Sequence, residues 1–164
     1  MTRLEEELLA SFEKARLFCE GRQKSSRLVG LDVGTKTLGV AISDARWQLS
    51  TPLKTLARGS FGVLVSELSN LLSAYEVAAF VVGVPVNMDG SFGARAQASL
   101  SFGQNLGKAL MLPVFYQDER LSTAAATQVM LDAGVPSRRH KEKIDAVAAS
   151  VIMQTFLDRL RVED

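Results

Sequence analysis

The sequence predicts an α/β fold: a mixed five-stranded sheet in the order βββαβαβα, with helices on both faces and an extra helix in front. Three observations carry this. Two short β patterns, RLVGLDV at 27–33 and TLGVAIS at 37–43, flank the turn residues Gly34, Thr35 and Lys36. A continuous apolar stretch at 77–84 suits a strand covered on both faces. Beyond residue 60, apolar stripes at helical spacing alternate with strand patterns, the signature of parallel crossovers.

Residues 1–26 read as a separate leading piece, an amphipathic helix and linker, and 27–164 as one domain. Leu8, Phe12, Ala15 and Cys19 recur on one helical face, and Glu5, Glu6 and Glu7 sit in its first turn, where the helix dipole favours them. Residues 21–26 follow as the linker. After the two opening strands, a third falls within 47–56. Phe61, Leu64, Val65, Leu68, Leu71, Leu72 and Tyr75 share one helical stripe. The loop PVNMDGSFG at 85–93 carries turn chemistry at Asp89 and Gly90. A helix at 94–110 and a fifth strand at 113–117 come next. Ser122 is placed to cap a helix ending before Gly134. A polar, mostly basic loop at 136–143 leads to a last helix from about 142 to 160. The first three strands form a meander beside two parallel ones.

The chain has 164 residues, 47% of them apolar and 23% charged, with a net charge of +1. That is one ordinary globular domain, without a polybasic arm or acidic tail. A single cysteine, Cys19, excludes a disulfide framework and multi-cysteine zinc sites. The longest strongly apolar run, 77–86, contains Gly83 and Pro85 and is far shorter than the roughly 20 residues of a spanning helix. The acid-rich start fits neither a signal nor a transit peptide. A soluble, cytoplasmic chain with no membrane partner is expected.

Three carboxylates stand in costly places. Asp32 lies inside an apolar strand between Leu31 and Val33, although a strand-end Asp can also simply accept N–H bonds from the following turn. Asp145 opens a helix that carries no charge from 146 to 157, where the helix dipole alone could account for it. Asp118-Glu119-Arg120 follows the fifth strand, at the strand end where open α/β sheets bind ligands. Strand alternation lets only one of Asp118 and Glu119 face a given site. In this strand order the three positions can converge at one edge. Carboxylates that meet repel one another, and a divalent cation resolves the conflict. Oxygen donors suit Mg²⁺ or Mn²⁺, and two such ions about 4 Å apart can clamp a phosphodiester.

Four motifs extend this reading: GLDVGTKTLGVA at 30–41, VGVPVNMDG at 82–90, DERLST at 118–123 and KIDAVAA at 143–149. In this order they resemble the YqgF/RuvX family over residues 27–160. The resemblance implies an RNase H-like fold related to RuvC-type Holliday junction resolvases. It implies a metal-dependent endonuclease, either maturing the 5′ end of the small-subunit (pre-16S) rRNA precursor or resolving Holliday junctions. It makes Asp32, Glu119 and Asp145 the metal-binding catalytic acids, with Mg²⁺ or Mn²⁺ as cofactor. It also makes the 85–93 and 137–143 loops substrate contacts. The leading helix is longer than the short N-terminus associated with the family. It either packs on its own domain or builds an oligomer contact.

Other residues complete the expected site. Arg138, Arg139, Lys141 and Lys143 put four cations just ahead of Asp145, suited to phosphate. Lys36 in the hairpin turn and Arg95 at a helix start are further nucleic-acid contacts. Arg120 either orients Glu119 or meets phosphate. Glu142 or Asp118 can add a further acid, and His140 a proton shuttle, though each also fits solvated surface. Asp44 and Asp89 fit turns. The expected partner is pre-rRNA or branched DNA, and the chain a monomer or homodimer. Two rivals remain. One is a non-catalytic RNA-binding assembly factor, which an intact acid set disfavours. The other is a sugar-kinase or actin-type phosphate binder, which would need a second domain. The +1 total is a poor guide to the partner, because five basic and five acidic residues cancel within residues 1–26 alone.

Overall fold

In the computed structural model, the residues described are 1–21, 25–122 and 140–162, with side chains of the last helix from Ile144 to Arg161. Helix α1 (Arg3–Glu20) leads into strands β1 (Arg27–Val33), β2 (Thr37–Ser43) and β3 (Ser50–Ala57). Then come α2 (Phe61–Leu72), β4 (Val77–Val84), α3 (Ala94–Leu110), β5 (Val114–Asp118), a 3₁₀ turn (Glu119–Leu121) and α4 (His140–Val162). The sheet order is β3-β2-β1-β4-β5. β1 pairs antiparallel with β2 and parallel with β4, so it is central, and the predicted meander beside a parallel pair is found.

Strand alternation sorts the core. Val29, Leu31, Val33, Leu38, Val40, Phe80 and Val82 face α2 and α3, where Leu64, Leu68, Phe102 and Leu106 bury against them. Leu28, Ala79, Val81 and Phe115 face the other way, onto Ile152, Met153 and Phe156 of α4. This second face is the one that positions the site. Asp32 falls on it by alternation from Leu28. So does Gly39 of β2, paired with Asp32 across the ladder. A β-carbon at Gly39 would overlap the carbonyl of Asp145, so the glycine is what lets the start of α4 settle on β2.

The leading helix packs on its own chain. Leu4, Leu8, Phe12 and Ala15 are buried, and Phe12 meets Phe156 edge-on at 5.8 Å. Cys19, expected on the same stripe, is only half-buried. Ser11 Oγ accepts from the backbone N–H of Tyr116 at 2.9 Å, so α1 covers part of the outer edge of β5 that would otherwise be open to pairing. Thr2 caps the helix, its hydroxyl accepting from Glu5 N.

The third strand falls in its expected window to within one residue at its end, and the last helix starts earlier than expected. The third strand starts at Ser50, because Trp47 has a left-handed backbone (φ +57°) in the turn before it and Asp44 accepts from the N–H groups of Gln48 and Leu49. The last helix begins at His140, so the basic loop ends earlier than predicted and Lys141 and Lys143 lie in the helix's first turns. The helix expected after Ser122 lies outside the described residues. No helix among the described residues is long and apolar enough to cross a membrane.

Candidate active site

The acids gather where β1 ends, where β5 ends and where α4 passes over β2. Asp32 is one residue from the end of β1. Glu119 opens the 3₁₀ turn after β5. Its carboxylate lies over β4, so that a β-carbon at Gly83 would sit 2.8 Å from Glu119 Oε1. The two carboxyl groups are close enough to share a hydrogen bond. Asp145 acts on Asp32 through its charge, and its Oδ2 accepts from the Thr37 hydroxyl at 2.6 Å.

The site's electrostatics follow from this crowding. Burial pushes the Asp32 carboxyl from its ordinary 3.8 up to about 6, with the Asp145 charge adding to it. Burial pushes Glu119 from 4.5 up to about 7, with Asp32 as the next contributor. Arg95 opposes both shifts, so its guanidinium stands beside the acids, and its Nη2 also donates to Val33 O at 3.4 Å.

The neighbouring residues divide sharply. Asp118 turns away from the acids: its Oδ1 accepts from Arg120 N at 2.8 Å and its Oδ2 from Arg120 Nη2 at 2.8 Å. Arg120 is thus engaged by Asp118, with Glu5 and Asn87 O as further partners, rather than by Glu119. Lys36 is exposed at the hairpin tip. Arg138 and Arg139, like the side chains of His140, Lys141, Glu142 and Lys143, lie outside the described residues. Asp89 serves its turn, its Oδ1 accepting from Ser91 N at 2.9 Å.

Sequence reading missed Thr37, Arg58 and Phe92. Thr37 bonds a carboxylate 108 positions away, which no local spacing announces. Arg58 Nη1 donates to Gly34 O and steadies the β1–β2 turn. Phe92 is 48% exposed on the 85–93 loop, and an aromatic in a turn-rich loop was the available signal.

A family model described as RuvX, Holliday junction resolvase, matches residues 26–159. The chain belongs to the RuvX family. A relative from Rhodobacter capsulatus, carrying the name of a candidate pre-16S rRNA nuclease, is 46% identical over 143 residues, 87% of this chain and 90% of that one. One from Rhizobium meliloti with the same name is 43% identical over 133 residues, 81% of each chain. Among solved structures, T. thermophilus RuvC in complex with Holliday junction substrate aligns with a TM-score of 0.50 at 15% identity, covering 82% of this chain and 96% of that one. Fowlpox virus resolvase with Holliday junction DNA aligns at 0.53 and 10% identity, covering 82% and 98%. At such identities the last two speak to the fold, which is RNase H-like as the RuvX motifs implied.

The RuvX acids fit a hard divalent cation by their chemistry. Their donors are all carboxylate oxygens, and burial first, with a neighbouring carboxylate second, raises Asp32 and Glu119, a cost that a bound cation would offset. Among the described residues no three Asp, Glu, His or Cys side chains are already closed around one ion position. Asp145 is instead turned to Thr37.

A pH dependence follows. Both groups hold protons more tightly folded than unfolded, so their contribution to stability is greatest below about pH 4 and is lost as pH rises to about 7. In chelator, wild type should lose on the order of 5 kcal/mol between these limits relative to the Asp32→Asn/Glu119→Gln double variant. Urea unfolding at both pH values measures it, and parallel stability curves would show that the acids do not crowd one another.

Proposed function

We propose that the protein is a metal-dependent endonuclease that hydrolyses phosphodiester bonds of structured nucleic acid, with the 5′ end of the pre-16S rRNA precursor as its substrate. The observation that carries the reading is the convergence of Asp32, Glu119 and the Asp145 charge on a buried strand end, at a cost in stability that binding a cation would relieve. Membership in the RuvX family and the names of its relatives support the substrate class. The reading places the work in the cytoplasm, as part of ribosome assembly.

Asp32, Glu119 and Asp145 would hold Mg²⁺ or Mn²⁺. Bound there, the cation supplies Lewis-acid polarisation of the phosphate and of the attacking water. The chain's own residues do the rest. Thr37 orients Asp145 by donating to Oδ2. Arg95, beside the acids, offers a fixed positive charge to phosphate. Lys36 at the hairpin tip, Arg120 beside the 85–93 loop, and Arg138, Arg139, Lys141 and Lys143, ahead of Asp145 in sequence, would contact the nucleic-acid backbone. Phe92 presents a ring on which an unpaired base can stack. The division into a leading helix at 1–26 and a nuclease domain at 27–164 is part of the same proposal.

A second reading, Holliday junction resolution, is favoured by the family description and by the fold shared with two resolvases. Mapping cleavage products of a 5′-extended rRNA precursor and a four-way DNA junction, with one preparation in Mg²⁺, separates the two. The expected result is a discrete cut near the mature rRNA end and little action on the junction. Symmetric cuts in the junction with intact RNA would reverse the assignment. Light scattering on the same sample gives the subunit number that a symmetric junction cut requires.

A further inference from the structure

We infer that helix α1 is a brace for the 85–93 loop, with Thr2 and Glu5 as positioning residues that set this loop and Arg120 against the substrate. The inference rests on the reading of that loop as a substrate contact. It is carried by a continuous chain of contacts from α1 to the residue beside Glu119.

The first link is Thr2. Its hydroxyl accepts from Glu5 N at 3.2 Å, capping α1, and donates to Gly90 O at 2.6 Å, at the tip of the loop. One side chain therefore ends the helix and holds the loop. Gly90 adopts φ +82°, which favours glycine, and a β-carbon there would overlap Glu5 Oε1 and lie 3.0 Å from Thr2 Cγ2. The loop and the helix start are thus in close contact.

The second link is Glu5, whose Oε1 stands 3.8 Å from Arg120 Nη2, with both side chains only partly exposed. Arg120 also donates to Asn87 O at 3.4 Å, in the same loop, and is gripped by Asp118. Asp118 directly precedes Glu119. The guanidinium is fixed from three sides: the helix, the loop and the strand end.

The brace has a firm footing. Leu4, Leu8, Phe12 and Ala15 bury α1 against the body of the protein, and Ser11 ties it to β5. Bonds within the loop run from Gly90 N to Asn87 O, Asn87 N to Ser91 O, Asn87 Nδ2 to Ser91 Oγ and Ser91 N to Asp89 Oδ1, and its far end is tied to α3 by Gln97 N to Gly93 O. The internal bonds shape the tip of the loop, and Thr2 fixes that tip to the helix. The helix starts ahead of residue 26, where the family-model match begins.

Thr2→Asp tests this in the full chain. Aspartate is a good N-cap, so α1 stays capped, but its carboxylate cannot donate to Gly90 O and repels it. Thr2→Ser keeps both bonds. Amide hydrogen exchange in 86–91 should accelerate about fivefold in Thr2→Asp, the worth of one net hydrogen bond, with α1 and β1 unchanged. KM for the rRNA precursor should rise severalfold with kcat held, and Thr2→Ser should match wild type in both readouts. Unchanged loop exchange in Thr2→Asp overturns the brace. Faster exchange with unchanged KM overturns its role in substrate contact. Should wild type cleave neither RNA nor junction, the nuclease reading falls, while the exchange measurement still decides the brace.

Discussion

Asp32→Asn should lower Mg²⁺-dependent cleavage by about a thousandfold, the loss expected when several kcal/mol of metal-based charge stabilisation disappear. Asp32 is central: it lies one residue from the end of the middle strand, it is buried, and it stands within reach of the charges of Asp145 and Glu119. Asparagine keeps the shape and removes the charge. The same substitution should make the metal-free protein more stable near neutral pH. It deletes a carboxylate whose ionisation is disfavoured by burial first and by its neighbour second. Activity and stability moving in opposite directions mark a site maintained for function at a cost in stability. Single-turnover cleavage, with urea unfolding on the same samples, reads both. Wild-type cleavage by the variant would remove Asp32 from the metal site.

Gly39→Ala should cost about 3 kcal/mol, at the upper end of overpacking effects, and should also weaken cleavage. The added methyl would overlap the Asp145 carbonyl and lie 3.0 Å from Ala146 N. Both are backbone atoms that no rotamer change can move. β2 cannot retreat either, because Gly39 is paired with Asp32 on one side and Thr55 on the other. The strain must lift the start of α4 and take Asp145 with it. Gly62→Ala is the control: nothing lies within 4 Å of a β-carbon there, and alanine favours the helix that Gly62 occupies. Urea midpoints should fall for the first and hold or rise for the second. If Gly39→Ala is as stable as wild type, α4 does not rest on β2 as described.

Much of the architecture was legible along the chain. The strands at 27–33, 37–43 and 77–84 matched their expected limits, because period-two and continuous apolar patterns are local properties of a few residues. The α1 stripe through Leu8, Phe12 and Ala15 was legible for the same reason, at a different period. Turn chemistry decided by distant contacts was less so. The third strand waits until Ser50 because Trp47 is drawn into the core, its Nε1 donating to Ser26 O.

The candidate site was legible as residue types but not as a geometry. Alternation said that Asp118 and Glu119 must part company. It did not say which would join Asp32. The choice was made by Arg120, which takes Asp118, and by Gly83, which leaves room on β4 for Glu119. Arg120 itself was expected to serve Glu119 or phosphate, and its bonds to Glu5 and Asn87 O depend on how α1 packs.

By itself, then, the sequence determined the element order, the sheet class, the three costly acids and, through four motifs, the family. These depend on neighbours within a turn or a strand, where spacing alone sets which face a side chain takes. Only the tertiary structure decided that Thr37 holds Asp145, that Arg95 stands by the acids, and that Thr2 reaches Gly90. Each of these joins residues on different elements, at least 24 positions apart, whose mutual placement is set by the packing of the whole core.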